Sequence, residues 1–154
     1  MTSSNRGRVL VVDDDPEIRG LLASVLRRSG LTVDLAADGH EAFAMVREHR
    51  YSVILLDLMM PGADGFEVLR GLRDSEQQVP PVVLVVTGAD REALERLDAH
   101  VIHGIVRKPF DPEEVASIVV ACVEIRGRNA LSTMAIATMM AGGPILAILQ
   151  RLSS

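Results

Sequence analysis

Two apolar stretches of this sequence end in carboxylates, and two more lead to a hydroxyl and an ammonium group. Asp13 and Asp14 follow Val9-Leu10-Val11-Val12, and Asp57 follows Val53-Ile54-Leu55-Leu56. Thr87 follows Val82 to Val86, and Lys108 stands two residues past a run from Val101 to Val106. Brought together, three carboxylates repel one another unless a cation joins them. Hard oxygen ligands with positions left open for water and phosphate suit Mg²⁺. Lys108 offers a compact charge for a phosphoryl oxygen. Positive charge beside a carboxylate is what in-line phosphoryl transfer to that carboxylate requires, and the carboxylate can then carry an aspartyl-phosphate. Each residue alone has a plainer use: the acids as helix caps or loop acids, Thr87 as a strand-end hydroxyl, Lys108 as a solvated charge. The elements that position them decide between the two.

The first three runs are aliphatic and uncharged, which is how strands buried on both faces read, and Val101 to Val106 reads as a further strand. Helical patterns separate them. Pro16 suits a first helical position with Asp15 as N-cap. Ile18, Leu21, Leu22, Val25 and Leu26 make the inward stripe of that helix, and Gly30 closes it. Residues 31–36 read as a second strand, and Asp38-Gly39 opens a helix with Ala42, Phe43 and Val46 inward. After Asp57, Pro61-Gly62 and Asp64-Gly65 turn the chain into a helix over 65–73 carrying Phe66, Leu69 and Leu72. Residues 77–81 read as loop, about 90–97 as a short helix, and 101–106 as the fifth strand. Asp111 and Glu114 fit a capping box for a last helix with Val115, Ile118, Val119 and Cys122 inward. Ala116, Val120 and Val123 form a second apolar stripe beside it, broader than one core face needs.

Strand and helix alternate five times, which predicts a parallel sheet with right-handed crossovers. The economical architecture is a flavodoxin-like doubly wound α/β sheet in the order 2-1-3-4-5, with helices on both faces. In that order the ends of strands one, three, four and five meet at one edge, where open α/β sheets keep their sites. Asp13, Asp14, Asp57, Thr87 and Lys108 all fall there.

Composition narrows the class. At 154 residues one domain is the prior, able to bury roughly 70% of its unfolded surface. Hydrophobic content of 48% excludes disorder for the bulk of the chain. A net charge of −5 argues against a nucleic-acid surface. The single cysteine, Cys122, rules out an internal disulfide framework, fits a reducing compartment and reads as a small buried apolar residue. Met1 to Arg8 has no apolar core of a secretory signal. Residues 1–7 thus read as a polar N-terminus, 8–126 as the domain and 127–154 as an apolar extension.

The stretches Leu10-Val11-Val12-Asp13-Asp14, Asp57-Leu58-Met59-Met60-Pro61-Gly62-Ala63-Asp64-Gly65, Thr87-Gly88 and Lys108-Pro109-Phe110 stand in order and at the usual spacings. From Arg8 to Arg126 the chain resembles the receiver domain of bacterial two-component response regulators. The resemblance implies that Asp57 accepts a phosphoryl group from a sensor histidine kinase or histidine phosphotransfer protein. It implies Mg²⁺ held by Asp14, Asp57 and the Met59 carbonyl, with Asp13 acting through water. Thr87 would move to bind the phosphoryl group, Lys108 would pair with it, and Met59 and Ala89 would tune its lifetime. Such a protein is a cytoplasmic phosphoacceptor that dephosphorylates itself and signals to a downstream protein through altered contacts, not a conventional enzyme. There are departures from the pattern. Receivers usually carry Tyr or Phe where this chain has Ile105, so the usual Thr–aromatic switch lacks its ring. The stretch Asp98 to Gly104 lacks the common small-residue turn.

Other readings are weaker. A phosphatase with an Asp nucleophile needs a second Asp two residues on, where Met59 stands. His100 and His103 stand three apart without an acid or Cys that completes a ligand set, and read as surface or strand-edge residues. The 21 uncharged residues from Ala130 to Gln150 are long enough to span a bilayer. Gly142-Gly143-Pro144 interrupts them, so a helix or helical hairpin for packing or homodimer formation is the first reading and a membrane anchor the second. No DNA-binding output module is expected in the length available. The alternative function is a receiver-like adaptor that works by oligomerising through its last helix and tail.

Overall fold

The structure, a computed structural model, describes residues 7–60, 65–75 and 80–127. The turn expected at Pro61 to Asp64, much of the 77–81 loop, the N-terminal residues 1–6 and the extension from 128 onward, with its helical or hairpin reading, lie outside the described residues. Five strands and five helices alternate: β1 (Arg8–Val12), α1 (Pro16–Arg28), β2 (Thr32–Ala36), α2 (Gly39–Glu48), β3 (Val53–Leu56), α3 (Gly65–Arg73), β4 (Val82–Thr87), α4 (Arg91–Glu95), β5 (Gly104–Arg107) and α5 (Pro112–Gly127). All pairings are parallel, in the order β2-β1-β3-β4-β5.

Both faces of the sheet are covered, which is why the inner strands β1, β3 and β4 read as near-continuous apolar runs. Side chains alternate between faces along each strand. Val9, Val11, Val53, Leu55, Leu84 and Val86 pack with α1 and α5. Leu10, Val12, Ile54, Leu56, Val83, Val85 and Ile105 pack with α2, α3 and α4. The helix starts are local. Asp15 caps α1 by accepting from the Glu17 N–H at 2.9 Å, with Pro16 in the first turn, and Asp38 caps α2 through the Glu41 N–H. Gly30, at φ +85°, ends α1. Its N–H reaches the Arg27 carbonyl while the Leu31 N–H reaches that of Leu26, the paired bonds of a left-handed glycine stop. Asp111 caps α5 through the Glu113 N–H at 2.9 Å.

Four expectations change. Leu21 is 47% exposed, because it lies about a quarter turn from Leu22 and the buried face is centred on Leu22, Val25 and Leu26. β5 begins at Gly104 rather than 101, since the Val101 and Ile102 N–H groups both turn back to the Asp98 carbonyl. α4 spans only Arg91–Glu95, with the next bonds closing as tighter turns at Arg96 and Leu97. The second stripe of α5 is not spare: Ala116 and Val123 are buried in the core beside α1, and Val120 packs against them.

Candidate functional site at the carboxyl edge of the sheet

Register brings the chemistry together. Val12 pairs with Leu56, Leu56 with Val85, and Thr87 with Arg107, so Asp13, Asp57, Thr87 and Lys108 emerge at one level. Ladder bonds extend one residue past the strands and fix the backbone of each group. The Asp13 N–H donates to Ala36 O at 3.1 Å, that of Asp57 to Val12 O at 2.9 Å, and that of Lys108 to Thr87 O at 3.0 Å. The Lys108–Pro109 peptide is cis.

Asp13 and Asp57 are buried and Asp14 is exposed. One carboxylate oxygen from each can be chosen so that all three lie within 4.8 Å of one another. The Lys108 ammonium group bridges the buried pair, 2.7 Å from Asp13 Oδ2 and 3.2 Å from Asp57 Oδ2. The other oxygens face backbone: Asp13 Oδ1 accepts from the Asp15 N–H at 2.9 Å and Asp57 Oδ1 from the Met59 N–H at 3.1 Å. Thr87 has no exposed surface, and its hydroxyl oxygen accepts from the Ala89 N–H at 3.1 Å.

Burial pushes the Asp57 carboxyl above its ordinary value, and the neighbouring Asp13 charge adds to that. The Met59 N–H and the Lys108 charge pull the other way without cancelling the rise. Burial would lower the Lys108 ammonium group, but its hydrogen bond to Asp13 and the charges of both acids outweigh it and raise the value. The site is therefore electrostatically tense: one cation serves two buried acids and a third stands alongside. The donor set is all oxygen and negative, which fits a hard divalent cation.

The structure brings Asp13, Asp14, Asp57, Thr87 and Lys108 to this one edge, with Met59 two residues after the central acid and 60% exposed. Ile105, by contrast, is 1% exposed and packs in the core facing α4, where it offers no ring and no polar atom. Three loop-positioning roles around the site were not read from the sequence. Arg19 donates to the Asp13 carbonyl at 2.6 Å, and Arg107 donates to the Ala89 carbonyl at 3.1 Å. Gly65 lies so close that a Cβ there would meet the Asp57 carbonyl and would lie 2.7 Å from Leu58 Cα. Only glycine lets α3 start under the loop that follows Asp57. Arg19's place one turn into α1 and Arg107's beside Lys108 were visible signals, but their partners depend on tertiary register.

The sequence pattern of the response regulator receiver domain matches residues 9–120. The chain belongs to that family. Receiver domains are phosphoacceptor signalling domains of two-component systems rather than conventional enzymes. Among its relatives, the transcriptional regulatory protein ResD of Bacillus subtilis is 42% identical over 115 residues, covering 75% of this chain and 47% of ResD. The transcriptional regulatory protein TcrA of Mycobacterium tuberculosis is 40% identical over 108 residues, 70% of this chain and 42% of TcrA. The chain spans less than half the length of these relatives. Among solved structures, the chemotaxis response regulator CheY4 of Vibrio cholerae aligns with a TM-score of 0.64 at 31% identity, over 80% of this chain and 98% of that one. The response regulator TrrA of Thermotoga maritima, in complex with Mg²⁺–BeF, aligns with a TM-score of 0.65 at 30% identity, over 75% and 97%.

Proposed function

We propose that this receiver accepts a phosphoryl group on Asp57 from the phosphohistidine of a sensor kinase or phosphotransfer protein. The observation that carries the reading is Lys108 bridging Asp13 and Asp57 beside the buried hydroxyl of Thr87. An Asp57 carboxylate oxygen attacks phosphorus, an O–P bond forms, the P–N bond breaks, and the departing imidazole takes up a proton. Lys108 holds the nucleophile and is within reach of the incoming phosphoryl oxygens, while the Met59 N–H orients the second carboxylate oxygen. Asp13, Asp14 and Asp57, with the Met59 carbonyl, are the residues that would hold Mg²⁺. Bound there, the cation would neutralise charge on the carboxylates and the phosphoryl oxygens. Transfer to Asp57 leaves a mixed anhydride, which water hydrolyses in time.

In this reading the receiver acts in the cytoplasm and passes its state to a downstream protein through altered contacts, with the last helix and tail available for homodimer formation. The test is incorporation of a phosphoryl group from an acyl phosphate such as acetyl phosphate, read by intact mass. Uptake is expected with Mg²⁺ present and lost with chelator or in Asp57→Asn. Uptake that survives Asp57→Asn sinks the assignment. One observation favours a second reading, an adaptor that oligomerises without phosphorylation: Ile105 fills the usual ring position. No uptake by the intact chain with Mg²⁺ present would favour it.

A further inference from the structure

Ala89 stands between the site and α4, and side chains hold the peptide groups on both sides of it. Its N–H donates to the Thr87 hydroxyl at 3.1 Å, and its carbonyl accepts from Arg107 Nη1 at 3.1 Å. The next residue, Asp90, caps α4 by accepting from the Ala93 N–H at 2.9 Å. α4 is five residues long, too short to be held by its own backbone bonds. Its cap and the burial of Ala93, Leu94 and Leu97 fix it. Whatever moves Ala89 therefore moves the start of α4.

Arg107 is well placed to do so. It is the register partner of Thr87 across β4 and β5, and it precedes Lys108, which binds Asp57. Alternation along β5 puts it on the same face as Ile105, the face that α4 covers. Ile105 cannot report where the Thr87 hydroxyl points, since it has no polar atom. Arg107 can, through the residue it shares with Thr87.

We propose that Arg107 links the state of Thr87 to the start of α4, holding the β4–α4 connection in its resting arrangement until Asp57 is phosphorylated. The proposal rests on the reading of Asp57 as phosphoacceptor. Phosphoryl oxygens on Asp57 attract the Thr87 hydroxyl. Movement of that hydroxyl toward them lengthens its bond from the Ala89 N–H, because the lone pair that accepts it turns away. The Arg107 bond to the Ala89 carbonyl is then the remaining tether. Arg107 is exposed, so its guanidinium exchanges that carbonyl for water at small net cost, and the connection has two accessible arrangements. Arg107 touches neither the acids nor the phosphoryl group; it is a positioning residue.

The test compares amide ¹H–¹⁵N spectra of the full chain and of Arg107→Ala, before and after an acyl phosphate with Mg²⁺. The resonances read are those of Asp90, Arg91 and Ala93, which are remote in sequence from the substitution. In Arg107→Ala they are expected to start displaced toward their phosphorylated positions. Losing one such hydrogen bond should shift the balance of arrangements by about two- to tenfold. The donor-induced change shrinks accordingly, while phosphoryl uptake by mass stays that of the wild type. Arg107→Lys, which keeps a long charged donor, should restore part of the response. Resting positions identical to wild type, with the full donor-induced change retained, would overturn the proposal. If Arg107→Ala does not fold, Arg107→Gln, too short to reach Ala89, gives the same readout with a polar side chain. Absence of uptake by the wild type would fail the phosphoacceptor reading alone, and the resting spectra would still decide whether Arg107 holds α4.

Discussion

Lys108 serves two buried carboxylates with one ammonium group, so its removal should affect both acids at once. In Lys108→Ala, Asp13 and Asp57 face each other without a cation from the protein, and the carboxyl of Asp57, already raised by burial, rises further. Phosphoryl uptake is expected to slow by about tenfold or more, toward the cost of losing one preorganised group that stabilises developing charge. Its pH profile should move upward, because the nucleophile must be ionised. Rates of mass gain with acetyl phosphate across a pH series check both, and an unchanged profile would remove Lys108 from the transfer step. The identities of Asp57 and Lys108 were legible because each stands at or just past the end of an apolar run, and strand ends converge in this fold. Their pairing with Asp13 was not, since a 2.7 Å contact across 95 residues depends on register that no local pattern encodes. The same holds for Arg19 and Arg107, whose acceptors are backbone carbonyls of other loops.

Among the elements, the start of β5 shows what apolarity does and does not encode. Val101 and Ile102 look like strand, but hydrophobicity marks burial rather than extension, and both N–H groups are taken by Asp98. The ladder is completed instead by His103. Its N–H donates to Val83 O at 2.8 Å, and its Nδ1 accepts from the Val83 N–H at 3.1 Å. The ring thus stands in for a backbone carbonyl, which requires it to be neutral. Burial pushes the His103 imidazole below its ordinary value of 6.5, and the charge of Arg126 adds to this. In the unfolded chain His103 takes up a proton near 6.5, whereas in the folded chain it resists. The unfolded state therefore binds more protons between that value and the lower folded one, and stability falls as pH drops through this window. The contribution is at most about 1.4 kcal/mol per pH unit, the limit for a single proton. Urea midpoints measured from pH 7.5 down to 5 should show a slope that flattens in His103→Ala, a variant that is also less stable throughout because the Val83 N–H loses its partner. An equal slope in both chains would mean that the proton goes elsewhere.

For the whole molecule, the site and the fold draw on the same electrostatics. Three acids brought together at the carboxyl edge repel one another, and among the described residues Lys108 is the one side-chain cation that forms ion pairs with them. In the unfolded chain Asp13-Asp14 and Asp57 are far apart, so a cation that joins them binds the folded state alone. Mass action then makes Mg²⁺ a stabiliser of the entire domain: about 2.7 kcal/mol when the free ion stands a hundredfold above its dissociation constant. For a chain of this size that corresponds to a rise in Tm of roughly 5–11 °C, at about 2–4 °C for each kcal/mol. Asp57→Asn and Asp14→Asn each remove one ligand charge, so in both the Mg²⁺-dependent rise should shrink. Without Mg²⁺, Asp57→Asn is expected to melt higher than the wild type, because it relieves repulsion at a buried position. Melting curves with and without Mg²⁺ separate these two effects. A wild-type Tm indifferent to Mg²⁺ would mean that Lys108 alone balances the acids, and that the cation has no place among them.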